Sequence, residues 1–167
     1  MADHGFGAGM VIDDRLYRGH NGGAGEIGHM TVDVSGPLCS CGSFGCLHVL
    51  ASGTAIAHKV AGDVRRGVKS RCLDLAGGDP DAITMEVVLQ AAALGDPHAQ
   101  AIVEESGRYL GIGLAGLVNC FNPDLIVLGG KMVLESSLFF ETARETLRRR
   151  AWPALSRDLE VVPSALG

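Results

Sequence analysis

His29, Cys39, Cys41 and Cys46 form an H-x9-C-x-C-x4-C array, the feature that most narrows what this chain can fold into. These four soft and borderline donors sit in a stretch from Asn21 to Gly45 dominated by Gly, Ser, Pro and Cys, with no sustained helical period. Such a segment has too few apolar residues to order itself and needs an internal staple. Tetrahedral Zn²⁺ prefers this donor set, and Zn–S bonds of about 2.3 Å would fix the loop from within. Gly42 and Gly45 allow the tight reversals that turn three thiolates inward. With all four positions filled by protein, the site would be structural. The competing reading is buried free thiols beside an unrelated His, and three Cys within eight residues of loop weigh against it. Cys72 and Cys120 stand apart and read as packing residues, since free Cys behaves as a small apolar side chain.

Metal ligation in place of disulfides presumes a reducing compartment. The N-terminus Met1-Ala2-Asp3-His4-Gly5 has neither a basic n-region nor an apolar h-region, so the chain reads as cytoplasmic. Apolar stretches such as Tyr109 to Val118 fall short of the ~18 residues of a membrane span, which argues against a membrane role. A net charge of −5 provides no cluster of Lys and Arg to neutralise phosphates, so the chain alone is not expected to grip DNA. At 167 residues, 47% hydrophobic and 20% charged, it suits one folded domain of ordinary size. Its 24 Gly are roughly twice the usual share of about 7%.

Apolar runs on either side of Asp13-Asp14 predict a β-hairpin at the start. It has no upstream element to pair with, which suggests missing sequence. Ser52 caps a helix to about Arg66, with Ile56, Val60 and Val64 on its buried face. Residues 71–81 read as loop, and Thr84 caps a helix through about Leu94. Asp96-Pro97 opens a long helix through about Cys120. Within it Gly107, Gly111, Gly113 and Gly116 each cost about 1 kcal/mol relative to Ala, offset if a packed helix or a ligand comes close. Asn122-Pro123-Asp124 ends that helix, and the continuous apolar run Leu125 to Leu128 reads as a central parallel strand buried on both faces. Ser136 or Ser137 caps a helix to about Arg150, and Glu160 to Pro163 reads as a last strand. Helices alternating with buried strands imply an α/β architecture. Arg148-Arg149-Arg150 reads as a solvated face complementing a helix C-terminus.

Two runs, Gly25-Glu26-Ile27-Gly28-His29 and Cys39-Ser40-Cys41-Gly42-Ser43-Phe44-Gly45-Cys46-Leu47, resemble the signature of the ROK family of bacterial repressors, open reading frames and sugar kinases. The resemblance continues through Gly95-Asp96-Pro97 and the Gly-rich helix to the segment from Asn122 to Gly130, and so covers nearly the whole chain. It implies an actin-like, ribonuclease-H-like fold of two lobes with a sugar in the cleft between them. Residues 1–167 would be the C-terminal lobe, with a zinc-binding loop at about 21–48, while the N-terminal lobe and any winged-helix DNA-binding domain would lie outside it. The family's pattern places Glu26 on sugar hydroxyls and gives His29 both zinc and sugar. The chemistry agrees, because a carboxylate accepts from paired hydroxyls and a metal-bound imidazole is oriented through its other nitrogen.

This chain departs from the family in three ways. The family's catalytic Asp lies in the N-terminal lobe, so this chain by itself is not expected to phosphorylate anything. Where kinases carry a G-T-G-x-G-type phosphate loop, this chain has Asp3-His4-Gly5-Phe6-Gly7, and a carboxylate there repels the γ-phosphate of ATP/Mg²⁺. Where the family has a further sugar-binding Glu after C-L, this chain has His48. Gly5 and Gly7, with Gly129 and Gly130, are the nucleotide-site candidates, the last two reading equally as a strand-to-helix turn. The resulting expectation is the sugar-sensing part of a ROK transcriptional regulator, homo-oligomeric and reaching DNA through another domain. The alternatives are the C-terminal lobe of a glucokinase-like ATP:hexose phosphotransferase, or a truncated gene product that keeps the fold alone.

Overall fold

The protein is described by a computed structural model over residues 5–166, so Asp3 and His4 lie outside the described residues. Strands β1 (Met10–Ile12) and β2 (Arg15–Tyr17) pair antiparallel, with Met10 opposite Tyr17 and Ile12 opposite Arg15. Asp13 and Asp14 turn the hairpin with φ of 52° and 59°, a pair of left-handed residues that Asp tolerates and that matches the twist of two-residue hairpins. From the hairpin to Cys46 the chain is loop, with one 3-10 turn at Ile27–His29.

The body is helical. Short α1 (Leu47–Ala51) leads into α2 (Gly53–Arg65), whose N-terminus is capped by Ser52 Oγ accepting from the Ala55 amide at 3.2 Å. Ile56, Val60 and Val64 on α2 are buried, as their spacing predicts. Residues 71–81, expected as loop, hold α3 (Arg71–Leu75) and a 3-10 turn at Pro80–Ala82. Then come α4 (Met85–Ala93), capped by Thr84, and α5 (Pro97–Phe121), capped by Asp96 and stopped by Asn122 in the left-handed region before Pro123. Strand β3 (Leu125–Leu128), α6 (Lys131–Glu135), α7 (Ser137–Arg150), α8 (Pro153–Ser156) and β4 (Glu160–Pro163) follow. Strands β3 and β4 pair in parallel, with Leu125 opposite Glu160 and Leu128 opposite Pro163.

Helix α5 is the spine, with α7 along one side and α1, α2 and α4 along others. Its glycines answer the open question of what approaches them. A Cβ on Gly107 would stand 2.8 Å from the Phe139 carbonyl oxygen, and one on Gly111 would stand 2.5 Å from that of Ala143, so both admit the α7 backbone. Gly113 and Gly116 face Leu47 and Met30 at ordinary or slightly tight range. The glycines are thus used within the chain, and the buried Ser106 hydroxyl donates to Ala51 O at 2.9 Å, tying α5 to the end of α1.

Two further expectations need correction. The apolar run of β3 is not buried on both faces: Ile126 and Leu128 pack on the core, whereas Leu125 is 47% and Val127 54% exposed. Sheets of two strands are the only ones among the described residues, so β3 is not a central strand, and its Leu125 and Val127 side stays exposed. Cys120 is exposed rather than packed, because it lies about 200° around α5 from buried Val118; Cys72 is fully buried as expected.

Candidate functional site

Close backbone approaches hold the loop before α1 against its neighbours. Gly25 has φ of 99°, and a Cβ there would lie 1.8 Å from the Ala8 carbonyl oxygen, so the loop lies against the segment from Gly5 to Gly9. That contact is cemented by Ala8 N donating to Gly25 O at 2.8 Å and Gly28 N donating to Phe6 O at 3.1 Å. Gly45, at φ of 60°, places its α-carbon where a side chain would overlap the Asp33 carbonyl. Asp33 in turn accepts from the Ser35 amide at 2.9 Å and from the Tyr109 hydroxyl of α5 at 3.3 Å, which pins the loop to the spine.

These constraints bring His29, Cys39, Cys41 and Cys46 together, with one ligand atom of each within 4.8 Å of all the others. His29 Nδ1 lies 3.6 Å from Cys39 Sγ, and Cys41 Sγ lies 3.6 Å from Cys46 Sγ. For a tetrahedral ion with sulfur at about 2.3 Å and nitrogen at about 2.05 Å, the ligand-to-ligand edges are about 3.8 Å for S···S and about 3.6 Å for N···S. Both observed separations fit those edges, and the donors suit a borderline-soft divalent metal, so these four residues can hold one.

Proximity sets the thiols against each other. The Cys41 amide donating to its sulfur outweighs burial and, with His29, brings the Cys39 thiol down to about 6. Burial, together with the neighbouring Cys41 and Cys39, pushes the Cys46 thiol up to about 11. A divalent cation resolves the conflict, because it favours the thiolate at every ligand at once.

Beside this cluster lies a cleft of about 450 Å³ lined by Gly5, Phe6, Gly7, Glu26, Gly28, His29, Ser40 and His48. Exposed Glu26 precedes the 3-10 turn, His29 ends it, and half-buried His48 stands on the first turn of α1. The two imidazole rings are 6.3 Å apart between centroids and tilted by 43°. The structure therefore gathers Glu26, His29 and His48 in one cleft and adds Gly5 and Gly7 to its wall. Gly5 allows close packing, since a Cβ there would come to 3.1 Å from His48 Nδ1. Gly129 and Gly130 are not among the residues lining this cleft; Gly130 has φ of 103° and is the N-cap of α6.

Sequence reasoning missed Phe6, Gly28 and Ser40 in the cleft wall. Ser40 was findable, because it lies between the two Cys of the C-x-C run. Phe6 was not, since it enters through a backbone pairing with Gly28 across 22 positions.

The model of the ROK family matches residues 2–167. The chain is 37% identical over 162 residues to a xylose repressor of Caldicellulosiruptor bescii, covering 97% of this chain and 40% of that one. It is 35% identical over 162 residues to the DNA-binding transcriptional dual regulator NagC of Escherichia coli K12, covering 97% of this chain and 38% of that one. The chain thus spans about two fifths of the length of these curated relatives. Among solved structures, a ROK family glucokinase from Streptomyces griseus, in complex with glucose and AMPPNP, superposes with a TM-score of 0.86 at 33% identity, over 98% of this chain and 53% of that one. A ROK family transcriptional regulator described as a homolog of the E. coli MLC protein superposes at 0.84 with 37% identity, over 96% of this chain and 39% of that one.

Proposed function

Because this chain belongs to the ROK family and carries the α/β, actin-like fold of ROK sugar kinases, we propose that it is the zinc-stabilised, sugar-sensing C-terminal lobe of a ROK transcriptional regulator. The observation that carries this reading is the double position of His29, whose Nδ1 faces Cys39 while its ring lines the cleft with Glu26 and His48. Zn²⁺ is the ion the three thiols and one imidazole favour, and its role is to hold the loop and orient the His29 ring. Glu26 accepts hydrogen bonds from sugar hydroxyls, and His29 and His48 offer ring nitrogens to others. Sugar binding then biases the geometry of this lobe against another lobe or a second copy of the protein, in the cytoplasm. DNA is reached through a further domain, in keeping with the chain's net charge of −5. No helix among the described residues is long and apolar enough to cross a membrane.

The similarity to a glucokinase holding glucose and AMPPNP favours a second reading, the C-terminal lobe of a sugar kinase with Gly5, Gly7, Gly129 and Gly130 near ATP/Mg²⁺. The Asp3-His4 pair before Gly5 argues against it, because a carboxylate beside a phosphate repels it. Calorimetry of the zinc-loaded chain against glucose, xylose, N-acetylglucosamine and AMPPNP separates the two. The regulator reading expects heat from a sugar and none from the nucleotide, whereas nucleotide binding would put the kinase reading first.

A further inference from the structure

Three of the five thiols lie in the cluster, and they are not equally placed. Cys39 and Cys46 are buried, while Cys41 is exposed. Cys41 Sγ is 3.6 Å from Cys46 Sγ, and buried Cys39 faces His29 Nδ1 at the same distance, with its own sulfur within 4.8 Å of the other two. A disulfide needs about 2.05 Å between sulfurs, so this pair closes by a sulfur movement of about 1.5 Å. The residue after Cys41 is Gly42, at φ of 89° with open space around it, which leaves that side of the loop free to adjust. An accessible thiol beside a buried resolving thiol is the arrangement on which peroxides act selectively.

We propose that Cys41 and Cys46 are a peroxide-oxidisable pair, and that their disulfide ejects the metal from the cluster. The metal half of this inference rests on the zinc reading above. In the first step the Cys41 thiolate attacks one oxygen of a hydroperoxide, forming an S–O bond, breaking O–O and releasing hydroxide or alkoxide. In the second the Cys46 thiolate attacks Cys41 Sγ, forming S–S and expelling hydroxide. For hydrogen peroxide the sum is two thiolates, one peroxide and two protons giving one disulfide and two waters. Two electrons pass from sulfur to oxygen. The ion loses two of its four ligands, and His29, which also lines the cleft, loses the partner that orients its ring. Reduction by a dithiol restores both ligands.

The test uses the whole chain with Cys120→Ser, which removes the exposed thiol outside the cluster. Zinc content is measured first on reduced protein. Hydrogen peroxide is then added in stoichiometric amount, zinc release is followed with a chromophoric chelator, and disulfides are mapped by mass spectrometry of a non-reduced digest. The expected result is a Cys41–Cys46 disulfide formed in step with one zinc released, at least about tenfold faster amide exchange over residues 26–29, and recovery with dithiothreitol and zinc. Over-oxidation of Cys41 without a disulfide, a disulfide containing Cys39, or zinc retained in disulfide-bonded protein would each overturn the proposal. Protein isolated without zinc would overturn the metal assignment and the ejection step, and the disulfide map would still decide the thiol pair.

Discussion

Gly111→Ala should destabilise the protein by about 2 kcal/mol, although alanine is the better helix former. The added Cβ would stand 2.5 Å from the carbonyl oxygen of Ala143 and 2.5 Å from Thr146 Cβ, both on α7. The carbonyl is part of the α7 hydrogen-bond ladder and cannot swing away, so α7 must move off α5. Overpacking of this kind costs up to about 3 kcal/mol, and the gain in helix propensity returns about 1. Gly116→Ala is the internal control. It sits on the same helix, but its Cβ would meet only the end of Met30 at 3.3 Å, a flexible side chain that yields. It should therefore be neutral or stabilising by up to about 1 kcal/mol. Urea unfolding of the zinc-loaded proteins reads both, and the thermal midpoint of Gly111→Ala should fall by about 4–8 °C. If Gly111→Ala proves as stable as Gly116→Ala, the close crossing of α5 and α7 is wrong.

Cys41→Ser should lose zinc on dialysis and lower the thermal midpoint by about 5 °C or more, measured by metal analysis and calorimetry together; unchanged metal content would sink the ligand set. Glu26→Gln should keep zinc while weakening sugar affinity by about 10-fold to 100-fold, the worth of one charge-assisted hydrogen bond, and equal affinity would remove Glu26 from the sugar site. Asp96→Asn should cost about 1–2 kcal/mol, since the buried carboxylate accepts from the Ala99 and Arg71 amides, both at 2.7 Å, and from the Ser70 hydroxyl at 3.2 Å. Burial pushes the Asp96 carboxyl up, but those donors together outweigh it and hold it below the usual range. Its stabilisation is therefore full above about pH 4 and is lost as pH falls through the lower folded value, so the gap between wild type and variant should close on acidification. A gap independent of pH would refute that account.

The helix starts were legible because each carries its own chemistry. Ser52, Thr84, Asp96 and Ser136 all precede apolar periodicity, and each side chain accepts from the amide three residues on. Helix α3 was not legible: five residues are too few for a period, and its first amide is held by Asp96 from 25 positions away. The exposure of β3 could not be read either, since an apolar run says what a strand could bury and not whether anything lies over it. The four residues that could hold a metal were readable because donor type and spacing are themselves the signal. The cleft was only half readable, with its polar groups in the motifs and its wall made by Phe6 through backbone pairing.

The alternation along β3 divides two properties between neighbouring residues. Ile126 and Leu128 bind the strand to the core and so set how tightly it folds, while Leu125 and Val127, with Val162 beside them on β4, form an apolar outer face next to a strand edge that has no further partner strand among the described residues. Flat apolar edges template the addition of further strands, and a single charge is enough to discourage it. The colloidal behaviour of the chain is therefore tunable at Val127 with little effect on the unfolding midpoint, because its side chain and those that build the core point to opposite sides of one four-residue strand.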